Sequence, residues 1–66
     1  MKIVLNGEQH ECKGDGSLDG LLKEIGAAGG RVAVMVNGEV VRNADRANVR
    51  LKEDDRVEIL TMMGGG

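Results

Sequence analysis

The chain contains no phenylalanine, tyrosine or tryptophan, so its core must be built from Val, Leu, Ile, Met and Ala. Aromatic side chains are the usual stacking platform for single-stranded nucleic acid, and a concentrated basic surface is the usual footprint on a duplex. Neither is present. Nine Lys and Arg stand against eleven Asp and Glu, the net charge is -2, and the arginines are scattered from Arg31 to Arg56 among acidic neighbours. Nucleic acid is therefore not an expected partner. Cys12 is the one cysteine, which excludes an internal disulfide and favours a reducing, cytoplasmic setting. No apolar run approaches the ~18 residues that suggest a membrane span, and no charged segment followed by an apolar run and a cleavage site stands near the N-terminus. A soluble protein is expected. At 66 residues, near the lower limit for folding without metal or disulfide, one domain is expected and a large internal cleft is not.

What is present reads as alternating strands and turns around one helix. Lys2-Ile3-Val4-Leu5 is a short β-rich run that meets Asn6-Gly7, a dipeptide suited to positive φ at both turn positions. A return strand over Glu8 to Lys13 puts Glu8, His10 and Cys12 on one face and Gln9, Glu11 and Lys13 on the other. After Gly14-Asp15-Gly16, Ser17 is a good N-cap, and Leu18, Leu21, Leu22 and Ile25 form an i, i+3, i+4, i+7 stripe on a helix of about ten residues. Gly26 or the Gly29-Gly30 pair can end it. Val32 to Val36 reads as a central strand, Asn37-Gly38 as a second hairpin turn, and Glu39-Val40-Val41 as its return. Asn43 to Asn48 is polar and irregular, Val49 to Leu51 a short edge strand, Glu53-Asp54-Asp55 an acidic turn, and Arg56 to about Met62 the last strand. Right-handed crossovers place the first and last strands side by side and parallel, with the helix across one face. The expected fold class is α+β, a ubiquitin-like β-grasp with a mixed four- to five-stranded sheet over residues 1–62 and a flexible glycine-rich tail over 63–66.

Few residues suggest chemistry inside the domain. His10 and Cys12 share a strand face, but two ligands do not make a structural zinc site, and no further His or Cys is available. A thiol beside Glu11 lacks the electropositive setting of a nucleophile. Gly14-Asp15-Gly16-Ser17 lacks the spacing of a phosphate loop, and Glu53-Asp54-Asp55 has too few spaced oxygens for calcium. No catalytic residues, metal or bound cofactor are expected.

Alternation leaves a second surface. With Ile3, Leu5, Val34, Val36, Val57 and Ile59 turned toward the helix, Val4, Ala33, Met35, Leu60 and Met62 face outward, with Met63 just beyond. Exposed apolar patches mark protein partners, and methionine suits adaptable ones. Past the patch the sequence reads Gly64-Gly65-Gly66. Bare backbone makes a thin arm that another protein's active site can accept, and the absence of Cβ leaves the terminal carbonyl uncrowded.

These features together resemble the ThiS-type sulfur carriers of thiamine biosynthesis. The resemblance rests on Lys2 to Gly7, Ser17-Leu18 with Leu21-Leu22, "VMVNGEVV" from Val34 to Val41, "DDRVEIL" from Asp54 to Leu60, and the terminal Gly65-Gly66. It implies that Gly66 is the working residue, with Gly64 and Gly65 as its arm. A ThiF-like adenylyltransferase would use ATP and magnesium to adenylate the Gly66 carboxylate. A cysteine desulfurase relay would supply sulfur, and a ThiG-like thiazole synthase would consume the resulting thiocarboxylate. Val4, Met35, Leu60, Met62 and Met63 would contact these partners. The chain would be a monomeric cosubstrate rather than a catalyst. Small subunits of molybdopterin synthase and carriers for other sulfur pathways share the fold and the Gly-Gly end, and a β-grasp binding module without sulfur chemistry is the alternative of a different class.

Overall fold

The computed structural model describes residues 1–27 and 32–61. Five strands, one α-helix and one 3₁₀ helix follow in the order β1 (Lys2–Leu5), β2 (Glu8–Glu11), α1 (Leu18–Glu24), β3 (Val32–Val36), β4 (Glu39–Val41), the 3₁₀ helix (Asn43–Asn48) and β5 (Arg56–Thr61). They form one sheet in the order β2-β1-β5-β3-β4. The β1–β5 pair is parallel, as the crossover rule predicts, and the other pairs are antiparallel. The last strand among the described residues is thus the middle strand of the sheet.

Both Asn-Gly pairs are hairpin turns with positive φ at each position: 50° and 84° at Asn6 and Gly7, 51° and 86° at Asn37 and Gly38. That backbone twist matches the strands it joins. The turns also bond to β5. Asn6 Oδ1 accepts from the Ile59 amide at 2.8 Å, and Asn37 Oδ1 accepts from the Arg56 amide at 2.9 Å.

Helix α1 begins as its sequence dictates. Ser17 Oγ accepts from the Gly20 amide at 3.0 Å, while Asp15 Oδ1 accepts from the Ser17 amide and hydroxyl at 2.9 and 2.6 Å. It ends sooner than the apolar stripe suggests. Gly26, at φ 78°, turns the chain left-handed, and the amides of Gly26 and Ala27 donate back to the carbonyls of Lys23 and Leu22. This is a Schellman closure, so Ile25 caps the helix instead of extending it. Gly29 and Gly30, the other candidate terminators, lie outside the described residues.

Ile3, Leu18, Leu21, Leu22, Val34, Leu51 and Val57 form the buried core, flanked by Leu5, Ile25, Val36 and Ile59. The helix therefore meets the residues that alternation assigned to the inner face. Three local expectations need correction. Val49 to Leu51 is not an edge strand: Arg50 makes one bridge with Ser17, the Leu18 amide donates to Val49, and the Leu51 amide donates to Gly16. That segment closes onto the turn before α1, which is how Leu51 enters the core. The stretch Asn43–Asn48 is helical rather than irregular and brings Arg46 into the interior, where its guanidinium donates to the Val32 carbonyl at 2.7 Å. The return strand stops at Glu11, because Lys13 leaves the sheet to donate its amide to Glu24 Oε1 at 2.9 Å.

Candidate functional site: the outer face of the sheet

The face of the sheet opposite α1 carries no covering element among the described residues. Antiparallel register sets its layout. Leu60 lies opposite Ala33, while Met35 lies between Glu58 on β5 and Val40 on β4. Leu60 and Val40 are 58% and 70% exposed, and Val4, Ala33 and Met35 are half-buried. The structure therefore brings Ala33, Met35 and Leu60 together. Val4 stands to one side of them, paired with Arg56. Glu58 and Arg56 interrupt the apolar surface with one charge of each sign. Met62, Met63, Gly64, Gly65 and Gly66 lie outside the described residues.

Val40 belongs to this face and is absent from the sequence-level selection. Its signal was present, since the Asn37-Gly38 turn fixes a two-residue hairpin and so sets Val40 against Met35. What hid it was leaving the register of the return strand unfollowed.

The groups considered for metal or nucleophilic chemistry sit on the opposite face. His10 Nε2 is 2.7 Å from Glu24 Oε2, tying β2 to α1. Glu24 is held below its ordinary carboxylate value first by the Lys13 amide and then by His10. Burial pushes the Cys12 thiol above its ordinary value, which makes its thiolate scarce. Asp15 is lowered by the Ser17 hydroxyl and amide, and Glu11 by the N-terminal ammonium. Asp55 accepts from the Asn37 side chain and the Lys52 amide, and Glu53 from the Lys2 amide. Each of these carboxylates already accepts a hydrogen bond. Among the described residues no group of three or more His, Cys, Asp and Glu is arranged to hold a metal, and no helix is long and apolar enough to cross a membrane.

A mixed sheet in 2-1-5-3-4 order wrapped around one helix defines a small ubiquitin-like β-grasp fold. The crystal structure of the thiamine biosynthesis protein (ThiS) from Geobacter metallireducens has the same fold, with a TM-score of 0.82 at 32% identity and 100% of both chains covered. The ThiS family model matches residues 3–66. The chain belongs to the ThiS family. It is also 44% identical over 66 residues to a thiazole synthase of Magnetococcus marinus and 36% identical over 66 residues to one of Paramagnetospirillum magneticum. All of this chain is covered in both cases, but it spans only 20% of the length of those two proteins.

Proposed function

We propose that this chain is a sulfur carrier of thiamine biosynthesis whose working atoms are those of the Gly66 carboxylate. The observation that carries the reading is the family match, which runs through Gly66 itself. A carboxylate is a poor acyl donor because oxide is a poor leaving group. A ThiF-like adenylyltransferase would therefore attach AMP to it from ATP, with magnesium and with loss of pyrophosphate. Persulfide sulfur from a cysteine desulfurase relay would then attack the carbonyl carbon and release AMP. Cleavage of the sulfur–sulfur bond by a second thiol would leave a thiocarboxylate on Gly66 and a disulfide on the relay. A ThiG-like thiazole synthase would draw sulfur from that group into the thiazole ring. The carrier contributes no catalytic side chain; it offers an end and a face by which to hold it.

The chain's own residues support the holding role. Ala33, Met35, Val40 and Leu60 make an apolar outer face, and in the sequence Met62 and Met63 stand between β5 and Gly64-Gly65. That two thiazole synthases carry a segment of this kind within one polypeptide supports a synthase of that class as the consuming partner. Covalent linkage favours an encounter through raised effective concentration.

Intact mass tests the reading. After incubation with ATP, magnesium, a ThiF-like enzyme and a sulfur source, the chain should gain the difference between sulfur and oxygen. A Gly66 deletion, or a chain with one alanine added after Gly66, should gain nothing. Absence of the gain with several competent activating enzymes would remove the carrier reading.

A further inference from the structure

Strand β5 outruns its parallel neighbour. Its ladder with β1 contains two register pairs, Val4 with Arg56 and Leu5 with Val57, because β1 turns away at Asn6-Gly7. On its other side β5 is paired with β3 from Val57–Val36 through Thr61–Val32. The far end of the central strand is therefore paired on one side only.

The parity of the bonds says which groups are left. Successive residues of a strand direct their amide and carbonyl to opposite neighbours. The Asn6 amide donates to the Val57 carbonyl at 2.9 Å, and the Asn6 side-chain oxygen takes the Ile59 amide at 2.8 Å. Odd-numbered residues of β5 thus face β1, and the Asn6 side chain stands in for the ladder acceptor that the turn removes. Beyond it the Ile59 carbonyl and the Thr61 amide face the same way, with no strand partner among the described residues. A shallow groove of about 740 Å³ opens there, its lining including Val4, Asn6, Gly7, Arg56, Glu58 and Leu60. A Cβ added at Gly7 would meet nothing within 4 Å, so the lip of the groove is clear at that point.

Open edges are templates for another strand, and proteins usually blunt them with charge, proline or a bulge. Ile59-Leu60-Thr61 carries neither charge nor proline. We propose that the β5 edge from Ile59 to Thr61 receives an extended backbone segment of the thiazole synthase-type partner, which adds a strand beside β5 and so aims the tail. This rests on the carrier reading above. Continuity with the candidate docking face selects that occupant: the same three residues include Leu60 and lead directly into Met62 and the glycines. The matching segment supplies amide and carbonyl groups in strand geometry, an apolar side chain over Leu60, and a basic one toward Glu58, which has no ion-pair partner among the described residues. A second copy of this chain fits less well, because two such edges would pair over so few residues that the buried area falls far below that of a stable dimer.

Binding to a thiazole synthase that lacks a segment of this kind tests the proposal through calorimetry and amide hydrogen exchange. Thr61→Pro removes the edge amide, and a synthetic chain with an ester at the Leu60–Thr61 linkage removes that N–H without a ring while weakening the Leu60 carbonyl that faces β3; Thr61→Val keeps the amide. Thr61→Val should bind like the native chain, and both backbone variants about tenfold more weakly, with the ester chain still melting cooperatively. The Thr61 amide should exchange more slowly in the complex than in the free chain. Native-like binding by the ester chain, or unaltered Thr61 exchange in a complex that forms, would overturn the proposal. So would concentration-dependent protection of Thr61 in the free chain, which would assign the edge to a second copy. Failure of the native chain to bind any such synthase would overturn both the proposal and the choice of partner, while sulfur loading of Gly66, followed separately by mass, would still report on the carrier reading.

Discussion

Asn6 and Asn37 each serve twice. Their backbone adopts the left-handed conformation that a two-residue hairpin requires, and their side-chain oxygens accept the amides of Ile59 and Arg56. The turns were legible in the sequence because Asn-Gly between apolar runs is a local signal. The second role was not, since its partners are 53 and 19 residues away in the chain. Substitution separates the two. Asn6→Gly and Asn37→Gly should keep the hairpins and each cost about 1 kcal/mol, the net worth of one hydrogen bond, measured by urea denaturation. Asn6→Asp keeps the acceptor and should be milder than Asn6→Gly. Asn37→Asp should be worse than Asn6→Asp, because Asn37 Nδ2 donates to Asp55 Oδ1 at 3.0 Å and a carboxylate there would face another carboxylate. Arg46 was equally hidden. A charged residue in a polar stretch reads as surface, and only the tertiary position of the Val32 carbonyl explains its burial.

Helix α1 is seven residues long, too short to be stable alone, and holds its place through its caps and its apolar face. Leu22 is fully buried on that face, so Leu22→Ala should cost about 2–5 kcal/mol. A domain of this length commonly has roughly 3–10 kcal/mol in total, and thermal melting should show the variant substantially unfolded at physiological temperature. The helix is also fastened to β2 by Glu24, which accepts from the Lys13 amide and meets His10. The folded state holds Glu24 below its ordinary value of 4.5. Such a group favours folding above that value, and the contribution disappears as pH falls from about 4.5 through the lower folded value. Denaturation midpoints taken from neutral to acidic pH should fall across that window, and Glu24→Gln should be less stable at neutral pH and less sensitive to acid. Most elements at this scale could be read from periodicity, turns and caps. One exception, Val49 to Leu51, has a strand's composition but finds its hydrogen bonds on Gly16 and Leu18, around a single bridge to Ser17, instead of on the sheet. Composition describes what a segment favours and leaves open which neighbour it meets.

For the molecule as a whole, the division into two sheet faces was readable from alternation alone, because one buried face fixes every side chain on the other. Alternation therefore sorted the described residues between the two faces, although Val40 was overlooked. The proposed docking role would place binding on an exposed face that contributes little to folding. Leu60→Asp and Val40→Asp should each weaken binding to a thiazole synthase-type partner by about tenfold or more, while melting midpoints shift by only a few degrees; native-like binding by both variants would remove the docking role of the face. The central place of β5 has a further consequence during synthesis. Until Arg56–Thr61 has left the ribosome, the β1–β2 and β3–β4 hairpins have no strand between them, and Val57 is missing from the core. A chain cut short before that point cannot complete the sheet, so premature products expose apolar surface and fall to proteases. Folding thus inspects every copy as far as β5 before a partner does.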